Sequence, residues 1–135
     1  MKGNLIVAVC GLGLAAAVMP MRAHHSVQAT FDVSTTIAIQ GVVSRTEWNN
    51  PHARFWVDAK NDDGSVSSWE LELPAPNALL RGGVKRDFVK QGDYVNVNLW
   101  RAKDGSRLAH CLTLTLPDGR VMNFPRSWGM PTDWK

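Results

Sequence analysis

The alternation of polarity along this chain predicts an all-β domain: five strands closing into a small Greek-key barrel, with one short helix between strands 3 and 4. Three observations predict it. Five stretches alternate apolar and polar residues with the period of two that a half-buried strand requires. The run Asn77-Ala78-Leu79-Leu80-Arg81, with Pro74 and Pro76 before it and Gly82-Gly83 after it, falls between the third and fourth stretches and reads as a helix with a glycine stop. The first strand is long and carries Gly41 in its interior, where a glycine signals a bulge or a sharp bend. A strand that coils round such a bend can serve both sides of a closed sheet.

The first 23 residues read as a cleaved signal peptide: Lys2 supplies the positive start, Leu5 to Val18 is apolar but too short to span a bilayer, and Pro20 breaks any helix. Cleavage after Ala23 leaves His24 as the first residue; cleavage after Ala17 satisfies the Ala-x-Ala pattern better and leaves six more residues. Cys10 departs with the signal, so Cys111 is the only mature cysteine and no intramolecular disulfide forms. Residues 24–35 show little periodicity and are expected to form an extended N-terminal arm, with Phe31 packing on the barrel or closing one end.

The barrel is expected over residues 36–124. Thr36 to Trp48 is strand 1. Pro51 turns the chain, because a proline nitrogen cannot continue a ladder. In strand 2, Ala53, Phe55, Val57 and Ala59 point inward and Arg54, Trp56 and Asp58 outward. Asn61-Asp62-Asp63-Gly64 is a hairpin turn. In strand 3, Trp69, Leu71 and Leu73 oppose Glu70 and Glu72. Strand 4 sets Val95, Val97 and Leu99 against Asn96, Asn98 and Trp100, and Lys103-Asp104-Gly105-Ser106 turns it into strand 5, Leu108 to Leu116. Val121 to Phe124 forms a short edge, and residues 125–135, with Trp128, Pro131 and Trp134, form a tail laid over the barrel. Three strands, a helix and two strands is the order of an OB-like barrel. A plain β-sandwich is the alternative, for which five main strands are few.

Composition excludes several classes. The formal charge is +3, but loss of Lys2 and Arg22 leaves 13 basic residues against 12 acidic ones. A nearly neutral exported chain is not expected to bind nucleic acid. After signal removal no segment is long and apolar enough for a membrane span. No HExxH, GxSxG or P-loop occurs, Ser26 beside two histidines in sequence is not a spatial triad, and Asp62, Asp63 and Asp104 sit where turns favour Asp, so the chain is not expected to be an enzyme.

The four histidines carry the distinctive chemistry. If cleavage follows Ala23, His24 offers an α-amine and an imidazole together, a pair suited to copper; His25 adds a third nitrogen, and His52 closes the site if the arm folds back. Zinc accepts the same imidazoles. The structural alternative makes His24-His25 a solvated start and His52 a hydrogen-bonding cap of its turn. His110 alternates with Leu112, Leu114 and Leu116 and reads as a neutral core or rim histidine. A second constellation, Trp48, Arg54, Trp56 and Trp100, offers a metal-free face for a sugar, peptide or cationic ligand, Glu70 and Glu72 repelling phosphate; its structural alternative is that the tail covers the tryptophans. An envelope interaction module docking through the tail is the third possibility.

His24-His25-Ser26, Phe31-Asp32, Gly41-x-Val43, Trp48-x-Asn50-Pro51-His52, Asn77-Ala78-Leu79-Leu80-Arg81, Gly92-Asp93 and Arg101-Ala102-Lys103-Asp104-Gly105 together resemble bacterial secreted proteins grouped as domain of unknown function family 6152. The resemblance covers residues 24 to 120; Val84 departs from it, a Trp being frequent there. It implies export to the periplasm or beyond and a compact β domain, and brings no activity with it.

Overall fold

The structure is a computed structural model that describes residues 26–126. The strands are β1 (Ile37–Trp48), β2 (Ala53–Lys60), β3 (Val66–Glu72), β4 (Tyr94–Arg101), β5 (Leu108–Thr115) and β6 (Val121–Asn123); the helices are α1 (Val27–Thr30) and α2 (Pro76–Arg81). The sheet order is β3-β2-β1-β4-β5-β6, and a further parallel pairing of β3 with β5 closes the first five strands into a barrel. With α2 between β3 and β4, this is the expected OB-like Greek-key arrangement, β6 being added to the outer edge of β5.

Strand β1 is shared. It pairs with β2 over Gly41 to Trp48 and with β4 over Ile37 to Val42. Gly41 lies in both ladders, opposite Ala59 on one side and Val95 on the other. A Cβ there would overlap the Asp58 carbonyl and come within 2.9 Å of the Ala59 Cα, so the residue is glycine because two backbones meet. The irregularity in the β1–β2 register falls later, between Val43 and Arg45. The bulge and the glycine are therefore separate devices.

Inside the barrel, Val43, Phe55, Val57, Leu71, Leu99 and Leu114 are buried almost completely. Helix α2 adds Leu79, and the loop after it adds Val84 and Val89. Pro76 starts that helix where its missing N–H costs nothing, and Gly83 ends it at φ +84, the left-handed conformation a helix stop uses.

A second apolar cluster lies outside the barrel. Val27, Phe31, Trp100, Ala102 and Leu112 pack together on the outer surface of β4 and β5. The arm that builds it is not simply extended: Ser26 caps one helical turn, its Oγ accepting from the Ala29 N–H at 3.1 Å. That turn puts Val27 and Phe31, four residues apart, on one side. The Asp32 N–H donates to the Arg101 carbonyl and the Lys103 N–H to the Thr30 carbonyl, both at 2.9 Å, which stitches the arm to the end of β4.

Strand β5 carries its own irregularity. Asn98 pairs with Thr113 but Leu99 pairs with Cys111, so Leu112 is the extra residue. The alternation consequently switches. Ala109, Cys111, Leu114 and Leu116 join the barrel core, whereas Leu112 joins the outer cluster and His110 meets the Phe31 and Trp100 rings there. His110 thus does not share a face with Leu114 and Leu116. Cys111 is fully buried in the core, which pushes its thiol far above the ordinary range. In a Cys10→Ser chain, a thiol reagent such as DTNB is expected to leave the native protein unlabelled and to react once per chain in denaturant; rapid native labelling would contradict this burial.

Candidate metal site and outer ligand face

His52 follows the Asn50-Pro51 turn and immediately precedes β2. The β2–β3 pairing continues past the end of β3 there, through Leu73 N–H to Ala53 O at 2.9 Å and Ala53 N–H to Pro74 O at 3.1 Å. This fixes the backbone that carries His52. Its half-buried ring places Nδ1 3.0 Å from the Leu73 carbonyl oxygen. A carbonyl can only accept, so Nδ1 holds the proton and Nε2 the lone pair of the neutral ring.

His110 is wholly buried. Its Nε2 lies 2.9 Å from the Pro125 carbonyl, which by the same reasoning makes Nε2–H the donor and leaves the lone pair on Nδ1. The ring stacks on Trp100 at 5.6 Å and 20° and meets Phe31 at 5.6 Å and 50°. Burial lowers its pKa to about 4; the Pro125 hydrogen bond acts in the opposite direction, and the nearby His52 lowers it further. The ring is neutral at physiological pH.

Cross-strand register explains why the two histidines are neighbours. Arg54 pairs with Glu72, and Glu72 with His110, so these three residues form one row across β2, β3 and β5. His52 lies two residues before Arg54, on the same side of the sheet. The structure therefore brings His52 and His110 to one end of the barrel, where the arm and the segment at Pro125 converge. Sequence reasoning kept His110 apart from this site because the bulge at Leu112 hid the face it occupies. Its only signal was a polar residue within an apolar strand. His24 and His25 lie outside the described residues; the chain enters the structure at Ser26, the cap of α1. Among the described residues no group of three or more His, Cys, Asp or Glu side chains is placed to hold a metal ion.

The tryptophans of the second constellation have different surroundings. Trp56 is half-buried with the Arg45 guanidinium 3.7 Å above its ring, and Arg45 pairs with Glu47 at 3.3 Å. Arg54 pairs with Glu70 at 3.1 Å and Glu72 at 3.3 Å, so its charge is already met. Trp48 stands edge-on to Phe88 at 6.1 Å, with Arg86 at 5.9 Å. Trp100 points out of the barrel, as alternation requires, but it is buried beneath the arm, with Arg126 5.5 Å from its ring. Among the described tryptophans, only Trp48 and Trp56 retain partial exposure. Trp128 and Trp134, expected to cover this face, lie outside the described residues. A separate open cleft of about 390 Å³, lined by Gln40, Lys60, Asn61, Asp62 and Trp69, lies at the opposite end of β2 from His52.

No curated protein matches the sequence. Among solved structures, the mitochondrial single-stranded DNA binding protein Rim1 from S. cerevisiae is similar, with 12% sequence identity, a TM-score of 0.47 and coverage of 62% of this chain and 93% of that chain. Residues 12–111, most of the sequence, match the family of unknown function DUF6152, and the chain belongs to that family.

Proposed function

We propose that this small β-barrel is an exported binding domain, periplasmic or secreted, that holds a copper-like ion through His24, His25 and His52. The observation that carries the reading is the hydrogen bond from His52 Nδ1–H to the Leu73 carbonyl. A backbone carbonyl behind an imidazole is the outer-shell partner that fixes a metal-binding tautomer, and it leaves Nε2 as the ligating atom. Val27 and Phe31, which follow His24 and His25 in sequence, pack on Trp100 and Leu112, and Phe31 meets the His110 ring. An α-amine and imidazoles form the nitrogen-rich set that a tetragonal copper ion prefers.

Supported less well is a metal-free face on Trp48, Arg54 and Trp56. The partial exposure of Trp48 and Trp56 favours it, but Arg45 covers Trp56 and two glutamates neutralise Arg54.

Calorimetric titration of Cu(II) into protein with its native N-terminus tests the metal reading. One ion per chain is expected, and His24→Ala or His52→Ala should weaken binding by at least ~10-fold to 100-fold, the scale on which even outer-shell losses act. Mass spectrometry showing a mature start at Val18, or unaltered binding in His24→Ala, would remove it.

A further inference from the structure

We infer that the barrel takes up an extended peptide along the unpaired edge of β1, in the cleft between Ala38 and the β2–β3 hairpin. The site lies away from the histidines and does not depend on a metal. Register defines the edge. Strand β1 pairs with β4 from Ile37 to Val42, but with β2 only from Gly41 onward. Among the described residues, 37–40 therefore have a partner strand on one side alone. Main-chain groups of successive residues in a strand face opposite sides. The Val43 N–H donates to the Asp93 carbonyl, just before β4, and the β1–β4 register runs without a shift back to Ile37. Gly41, Ile39 and Ile37 thus turn their N–H and C=O groups to β4, and Ala38 turns both of its own to the open side.

Continued straight past Ala59, β2 would bring Asp62 beside Ala38, but the chain has already turned: the Asn61 N–H donates to the Ser65 carbonyl and the Gly64 N–H to the Asn61 carbonyl. The space left is the cleft of about 390 Å³, a size that suits a ligand. Ile39, Ala59 and Trp69 give it an apolar floor. Trp69 is buried, and the Arg101 and Arg107 guanidiniums lie 5.6 and 5.7 Å from its ring, which holds it in place. Lys60 and Asp62 set one charge of each sign on the rim, so the cleft suits neither a polyanion nor a polycation.

The ligand class follows from the main chain. A donor and an acceptor presented together along a strand edge are met by another polypeptide strand, and the period of two sends one of its side chains to the floor while the neighbours face out. Edges that avoid such pairing carry charge or proline. Thr35 to Val43 contains neither, and Thr36, Ile37 and Ile39 are β-branched. The ligand is therefore an extended segment with an apolar residue between polar ones.

Ala38→Pro tests the idea. It deletes the Ala38 N–H that faces the cleft, keeps the N–H groups that face β4, and puts proline where an edge strand tolerates it. Random dodecapeptides displayed on phage are the probe. Selection on the unaltered protein should enrich peptides of that pattern, and their synthetic forms should bind Ala38→Pro about tenfold more weakly, the effect of one lost hydrogen bond in a paired edge. A measurement on the unaltered protein guards against a variant that misfolds: the Ala38 amide hydrogen should exchange quickly in the free protein and slowly once a selected peptide binds, with Ile39 protected throughout. If no peptide is enriched, or if a bound peptide leaves Ala38 exchange unchanged, the inference is overturned. A peptide-free protein that sediments as a dimer, dissociated by Ala38→Pro, would also overturn it, by giving the edge to a second copy of the chain.

Discussion

Gly41→Ala is expected to lower stability by ~3 kcal/mol or more, the upper range for forcing atoms into a filled interior. One added carbon has this effect because of where it lands. It would overlap the Asp58 carbonyl of the neighbouring strand, and main chain held in a ladder cannot rotate aside as a flexible side chain does. Gly41 also belongs to both the β1–β2 and β1–β4 pairings, so a displacement that relieves one ladder strains the other. Native domains of this kind have about 5–15 kcal/mol in total, which makes the loss a large share. Urea denaturation reads it as a lowered midpoint. Gly64→Ala is the comparison: its φ of +84 disfavours alanine, but its surroundings are open, so the loss there should be about 1 kcal/mol. Equal midpoints for the two variants would mean that β1 and β2 separate at little cost.

The same residue marks how far the sequence could be read. A glycine in a long alternating strand pointed to a coiled first strand shared by both sides of a barrel, and Gly41 is where that sharing occurs. The three-strand, helix, two-strand order was legible because each element repeats its signal several times: Ala53, Phe55, Val57 and Ala59 report one inward face four times over. Single-residue events give no such repetition. The bulge between Val43 and Arg45 and the extra residue Leu112 answer to the twist of the closed sheet rather than to local composition. The second of these moved His110 to the outer surface and beside His52. Trp100 shows the complementary limit: alternation gave its direction, but whether it met solvent depended on a docked arm whose helical turn is only four residues long. The turn at Pro51 was readable from a proline and two asparagines, whereas the Leu73 carbonyl that orients His52 comes from a residue 21 positions away.

Acid should destabilise the metal-free protein in a window set by His110. The folded ring has a pKa of about 4, against an ordinary imidazole value of 6.5. As pH falls through 6.5 the unfolded chain takes up a proton that the folded chain refuses, so unfolding becomes easier. The neutral ring's contribution is complete above 6.5, declines between 6.5 and 4, and is gone below 4. Across that interval the loss is on the order of 3 kcal/mol, at about 1.4 kcal/mol per pH unit. Asp32, Asp63, Asp104 and Asp118 also have lowered pKa values, each chiefly through hydrogen bonds from a nearby side chain or backbone N–H. Their contributions are lost only as pH falls through the carboxylate range, below the histidine window, and solvent screens them, Asp63, Asp104 and Asp118 being exposed and Asp32 partly so. Urea midpoints at several pH values between 7 and 4 should therefore fall for the wild type and remain nearly level for His110→Gln. A wild-type curve as level as the variant's would mean that the ring accepts its proton in place, with Phe31, Trp100 and the Pro125 carbonyl yielding enough to hydrate an imidazolium, and the arm would then be too loosely seated to hold a ligand geometry at this end of the barrel.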